Sequence, residues 1–178
     1  MILTDSQILK EIREGNIVID PFNKKSLGTN SYDVHLSKYL SIYIDNILDS
    51  KKHNKVKMLE IPKNGLVLHP DVLYLGCTVE YTESHRHVPL LDGKSSTGRL
   101  GISIHTTAGT GDIGFCNNWT LQLTTAHRVR VYAGMPIGQL VYFEPKGKVT
   151  TKYKDKKDAK YVKKSAKPIE SMMWKNGF

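Results

Sequence analysis

Gly93–Leu123 reads GKSSTGRLGISIHTTAGTGDIGFCNNWTLQL. At its start, Lys94, Ser95, Ser96 and Arg99 offer ammonium, hydroxyl and guanidinium donors to anionic oxygens, while Gly93 and Gly98 let the backbone come close. Such a donor set within seven residues suits a triphosphate; its plainer reading is a polar turn. Gly93-Lys94-Ser95 imitates the end of a P-loop, but the glycine that motif needs five places earlier is Val88, which excludes it. Further on, Asp112 lies between Gly111 and Gly114, where small neighbours leave a carboxylate room to hold a sugar hydroxyl or orient a water, or simply to make a turn. The stretch closes on the alternation of Leu121 and Leu123, the period of a half-buried strand.

The same strand rhythm runs outward in both directions. Short apolar runs (Ile17–Ile19, SYDVHL, YLSIYI, KMLEI, GLVLH, VLYLGCTVEY) are separated by Gly, Pro, Asn and Asp, and the last clear strand is Gly138–Phe143. Leu40, Ile42 and Ile44 alternate as one buried face. A short helix is expected near 5–14: Thr4 and Gln7 have capping-box spacing, Leu3 and Ile8 can staple, Gly15 sits at the C-cap, and Ile8, Leu9 and Ile12 face inward. Many short strands behind one helix predict a mainly β chain, a sandwich, jelly roll or distorted barrel. Residues 1–145 form this β domain, and 146–178 a basic tail that is either a solvated extension or a lid over phosphates. KKHNKVK at Lys51–Lys57 reads as a solvated hairpin tip.

A chain of 178 residues, 39% hydrophobic, can bury one core without staples. The opening MILTDSQILKEIREGN has charges inside its apolar stretch, so neither a signal peptide nor a membrane span is expected and a cytoplasmic location is. Cys77 and Cys116 are too few for a disulfide framework or a cysteine zinc cage and read as buried thiols. The net charge of +9 suits a polyanion, nucleotide or nucleic acid. No base-reading module is visible, which makes nucleic acid the weaker partner. His85 and His87 are the one close histidine pair, read as a polar loop before a metal site; Trp119 reads as core before a base-stacking residue, and Trp174 and Phe178 as pins of the tail on a neighbouring subunit before base-stacking residues.

Ser31–Asp33 (SYD), Gly93–Gly101 (GKSSTGRLG), Thr107–Phe115 (TAGTGDIGF), Pro136–Glu144 (PIGQLVYFE) and Lys157–Tyr161 (KDAKY) resemble, in order, the sequence blocks of the dCTP deaminase/dUTPase superfamily. The resemblance implies a distorted jelly-roll or β-barrel subunit of the dUTPase-like type with a C-terminal lid, assembled as a homotrimer with active sites between subunits. It implies phosphate contacts from Ser95 and Arg99, with Ser96 beside them and Lys94 where deaminases usually carry arginine, which keeps charge but loses fork geometry. Asp112 matches an aspartate near the sugar and the reactive water, Ala108 lies at the substrate, and Tyr153, Lys160 and Tyr161 match tail positions that fold over the nucleotide. Lys164 stands where a deaminase usually has glutamine. Mg²⁺ arrives through the triphosphate, and no zinc is implied.

Gln122 departs most from that pattern, occupying the place of the glutamate that moves protons in deaminases. Losing a positioned acid and base costs on the order of 100 to 10,000 fold. The expectation is therefore a dUTP diphosphatase releasing dUMP and pyrophosphate, with Asp112 orienting water and Mg²⁺, Lys94 and Arg99 neutralising charge. Gly109 beside Ala108 points the same way, because strict deaminases tend to carry a bulkier residue there. Two alternatives stand beside it: a dCTP deaminase, alone or also cleaving dUTP, in which Gln122 is an engineered replacement of glutamate, and a non-catalytic nucleotide sensor.

Overall fold

The structure, a computed structural model, describes Met1–Gly177; Phe178 lies outside the described residues. The N-terminal helix α1 spans Asp5–Arg13. Leu3 and Ile8 are both buried, as a hydrophobic staple requires, and Gly15 ends the helix at φ +71°, a conformation that costs glycine nothing. The capping box is not used: the Thr4 hydroxyl meets Ser6 Oγ at 3.1 Å, and Gln7 Nε2 donates to Glu11 Oε1 at 2.9 Å. Only Ile8 is fully buried on the inward face, with Leu9 and Ile12 half-buried.

Eleven strands follow among the described residues: β1 (Ile17–Asp20), β2 (Tyr32–His35), β3 (Tyr39–Tyr43), β4 (Val56–Glu60), β5 (Leu66–Leu68), β6 (Tyr74–Ser84), β7 (Val88–Gly93), β8 (Ile102–Ser103), β9 (Cys116–Thr125), β10 (Val129–Val131) and β11 (Pro136–Phe143). A second short helix, α2 (Ser95–Arg99), folds the expected polar turn into one helical turn after β7. Strand order is β4-β3-β6-β9-β8 in the main sheet, with β1 on the far half of β6; β2-β11-β7 form a second sheet and β5-β10 a ribbon. The chain is mainly β and jelly-roll-like, its sheets facing one core without closing into a barrel.

Period-two alternation decides what β9 offers to each side. Trp119, Leu121 and Leu123 are buried in the core with Leu36, Leu40, Tyr32 and Leu140, while Thr120, Gln122 and Thr124 turn to the opposite face. Leu121 pairs with Gly76 of β6, where an added Cβ would lie 3.0 Å from Leu123 Cδ1. The absent side chain lets the core leucines close over the strand. Ile44 departs from its expected place: it falls beyond β3 and is 53% exposed. Cys77 is buried but Cys116 is only half-buried. The Lys51–Lys57 tip is also less free than its charge suggests, since His53 Nε2 lies 2.9 Å from Glu170 Oε1 and its ring meets Trp174 edge-on at 5.9 Å.

Truncating Leu121→Ala, fully buried between the β6 and β9 neighbours, is expected to lower unfolding free energy by about 2–5 kcal/mol. Urea unfolding checks this: the midpoint should fall with the slope unchanged, and a midpoint within error of the parent would refute the assignment of Leu121 to the core.

Candidate active site

The outward face of β9 forms the floor of a cleft of 540 Å³, with Asn118, Thr120 and Gln122 presented along it. The segment between β8 and β9 walls it with His105, Ala108, Thr110, Asp112 and Phe115, and the tail returns over it with Tyr153, Tyr161, Ile169 and Ser171. The wall is fixed by backbone pairing to β7: Leu91 N–H donates to Gly109 O and Gly111 N–H to Pro89 O, each at 2.8 Å. Both glycines are demanded by this approach. A Cβ at Gly109 would lie 2.6 Å from the Leu91 carbonyl oxygen, and one at Gly111 2.5 Å from the Trp119 ring. Gly109 therefore has a packing cause and says nothing about substrate.

Trp119 belongs to the core, as expected, and also touches the cleft. Its indole N–H donates to Thr82 Oγ1 at 2.9 Å, and its ring packs on Phe115 at 5.0 Å, which in turn meets Tyr153 at 5.8 Å. This aromatic row joins floor, wall and tail on an apolar side suited to a planar ring.

The tail is held by polar bonds to the floor. Asn117 Nδ2 donates to the carbonyls of Tyr161 and Lys163, and its Oδ1 accepts from Ser165 N–H. Ile169 N–H donates to Thr120 Oγ1, Ser171 N–H to the Tyr43 hydroxyl, and Tyr161 N–H to the Tyr153 hydroxyl. Lys164, set against Tyr81, places its ammonium 3.8 Å from the ring centroid. Trp174 anchors the tail's end on His53 of the same chain.

His105 and Gln122 form a pair that residue types alone did not single out. Gln122 N–H donates to Ile104 O at 2.8 Å, which brings the two side chains together, and His105 Nδ1 lies 2.8 Å from Gln122 Oε1. A carbonyl oxygen only accepts, so Nδ1 carries the proton and Nε2 keeps the lone pair. Nε2 is buried, with no partner among the described residues. Burial pushes the His105 pKa below that of free imidazole, against a smaller upward pull from the Gln122 bond. Only the spacing of positions 105 and 122 across the β8–β9 turn held this pair, and a turn of that length gives no register from sequence.

The expected site residues divide into two places. Ala108, Asp112, Gln122, Tyr153 and Tyr161 come together around the cleft, whereas Lys94, Ser95, Ser96, Arg99 and Lys160 do not line it. Lys94 is half-buried and its ammonium contacts Asp33 Oδ2 on β2, while Ser95, Ser96 and Arg99 are exposed on α2. Thr97 ties that helix down, its hydroxyl bonding Lys94 O at 2.8 Å. The wall pairs with Pro89–Leu91 of β7, whereas α2 begins two residues beyond the end of that strand, so the two segments leave β7 at different points. Asp112 itself pairs with Lys156 Nζ at 2.9 Å, with 55% of its side chain exposed. Such an exposed pair is screened by solvent and is readily displaced by a ligand.

The chain matches known proteins along most of its length. Residues 2–145 match the family described as dCTP deaminase-like, and the chain belongs to that family. It is 48% identical to the dCTP deaminase, dUMP-forming, of Clostridium acetobutylicum over 147 residues, covering 83% of this chain and 84% of that one. It is 47% identical over 161 residues to the protein of the same name from Cytophaga hutchinsonii, 90% of each chain being covered. Among solved structures, the 2'-deoxycytidine 5'-triphosphate deaminase of Agrobacterium tumefaciens superposes with a TM-score of 0.62 at 16% identity, covering 79% of this chain and 47% of that one. That likeness concerns the fold, and this chain spans about half the length of that protein.

These relatives correct the expectation of a dUTP diphosphatase. Their shared name is dCTP deaminase, dUMP-forming. The expectation rested on Gln122 standing alone, and in the folded chain it does not: a titratable imidazole is bonded to its carboxamide. Among the described residues no helix is long and apolar enough to cross a membrane.

Because folding favours neutral His105, the unfolded chain binds its proton first as pH falls. Its contribution to stability is whole above the free imidazole value of roughly 6.5 and is lost as pH drops from there towards the folded pKa. Imidazole NMR should show His105 neutral, protonated on Nδ1, through that window. A midpoint at or above the free value would refute the buried pairing.

Proposed function

We propose that this chain converts dCTP and two waters to dUMP, ammonia and pyrophosphate, performing deamination and α–β phosphate hydrolysis in one cleft. The observation that carries the proposal is the His105–Gln122 pair on the cleft wall and floor, in a chain nearly half identical to relatives named for this conversion. Attack of water on the aminated ring carbon requires a proton acceptor for the water and a route to the leaving amine. Gln122 cannot ionise, but its carboxamide can orient water or the pyrimidine edge. Neutral His105, with its lone pair on Nε2, supplies the proton-handling group. The aromatic row of Trp119, Phe115 and Tyr153 flanks the base.

Phosphate cleavage needs a positioned water and neutralised charge. Asp112, freed from Lys156, holds the sugar hydroxyl and directs the water, with Ala108 beside the substrate and Tyr153, Lys160 and Tyr161 closing over it. Lys94, Ser95, Ser96 and Arg99 hold the triphosphate. Their donors are cationic or hydroxylic, so Mg²⁺ enters with the phosphates and takes no ligand from this group. Because the cradle lies outside its own chain's cleft, it serves the cleft of a neighbouring copy, and the active form is a homotrimer with composite sites.

Incubation with Mg²⁺ and dCTP, scoring ammonia and pyrophosphate separately, tests the reading. Both should appear, Asp112→Asn should cut pyrophosphate release by about 100 fold or more, and Gln122→Glu should raise ammonia release by about 10 fold or more. Silence from both the parent and Gln122→Glu would reject the proposal and leave a nucleotide sensor. Mixed after dissociation and reassembly, Arg99→Ala and Asp112→Asn chains should recover turnover that neither shows alone. No recovery in assemblies proved to be mixed would refute the composite site.

A further inference from the structure

Glu83, His85 and Cys116 gather at the end of β6 and the start of β9, and none of them lines the cleft. Glu83 and Cys116 are direct register partners across the antiparallel pair, so their side chains leave the sheet on one side. His85 lies two residues beyond Glu83, the spacing that returns a side chain to the same face. The junction is tied by backbone bonds from Ser84 N–H to Phe115 O at 3.4 Å and from Gly114 N–H to Ser84 O at 2.6 Å. One ligand atom from each of the three residues lies within 4.8 Å of the other two.

We propose that these three side chains bind one divalent transition-metal cation of zinc-like character. Thiolate, imidazole and carboxylate are the ligand types such ions take, and three protein ligands leave a fourth position for water. A hard cation such as Ca²⁺ or Mg²⁺ wants a shell of oxygens, which one carboxylate beside a thiol does not provide. Thiolate and carboxylate together neutralise a divalent charge.

The surroundings are prepared for this role. The Tyr81 hydroxyl donates to Glu83 Oε1 at 2.7 Å, fixing the carboxylate, while Oε2 faces His85 Nε2 at 2.7 Å. In the bound state the cation takes the place of the proton between them, and Tyr81 remains as the outer support of a ligating carboxylate. Burial and the Glu83 charge push the Cys116 pKa up, so binding must release the thiol proton. Lys152 and Lys154 stand near enough to act on the thiol and oppose a cation; Lys154 is exposed and screened by solvent.

The cation would clamp the point where wall and tail meet. Gly114, next to the cluster, packs so closely on Lys152 that a Cβ would lie 2.7 Å from that side chain, and Tyr153 N–H donates to Ile113 O at 2.8 Å. The site is therefore structural and separate from the proposed chemistry, and its test does not depend on turnover.

Untagged full-length protein, stripped with a chelator and titrated with Co²⁺, provides that test. The expected result is one Co²⁺ per chain, with the intense near-ultraviolet absorption of a thiolate–cobalt bond and visible bands of tetrahedral strength, both abolished by Zn²⁺. Cys116→Ser should lose the near-ultraviolet band, His85→Asn should weaken binding by about 10 fold or more, and Tyr81→Phe by about 10 fold. Absence of the band from folded parent at saturating Co²⁺, or its survival in Cys116→Ser, would overturn the proposal. So would unchanged affinity in His85→Asn, which keeps the test decisive where the cysteine variant fails to fold.

Discussion

The backbone ladder between β7 and residues 109–111 is the constraint on which the site depends. Two hydrogen bonds and the Leu90–Thr110 bridge pull a loop with almost no apolar side chains of its own onto the sheet edge. That pairing holds Asp112 beside β9, since its neighbours in Thr106–Asp112 are small and at most half-buried. Gly109 and Gly111 exist for the ladder: the first meets a β7 carbonyl and the second the Trp119 ring, and any side chain at either position pushes the wall away from the floor. The same strand then runs on to Lys94 and α2. One element thus sets both the wall of the cleft and the place where the Lys94–Arg99 segment leaves the sheet.

The floor follows from a second simple rule. β9 alternates, so the residues that line the cleft and the residues that make the core are interleaved in one strand. Moving the β6–β9 register by one place would bury Gln122 and expose Leu121 and Leu123, which the apolar core forbids. Core packing is what holds the His105–Gln122 geometry, and the tail's bonds to Asn117 and Thr120 read the outward face of the same strand.

Much of this was legible in the sequence, for identifiable reasons. Ile8, Leu121, Leu123 and the strands around them announce themselves by period, Gly15 by its place after a helix, and the family by ordered blocks of small and charged residues. What the sequence hides is distance. Nothing in it says that Lys94 reaches Asp33 and not the cleft that Asp112 lines, that Lys156 reaches Asp112, or that His105 meets Gln122. Thr4 and Gln7 have the spacing of a capping box, yet Glu11 takes Gln7 and the local motif is lost to a longer-range partner. Gln122 misled for the same reason: read alone it is a missing acid, and read in the fold it is half of a pair that contains a titratable group.

The most direct test of a single cleft acting on both bonds follows label from dCTP in the presence of a large unlabelled dUTP pool. Label that passes straight into dUMP, without dilution through that pool, is what the account predicts. Label that accumulates in free dUTP, or never leaves dCTP, would contradict it.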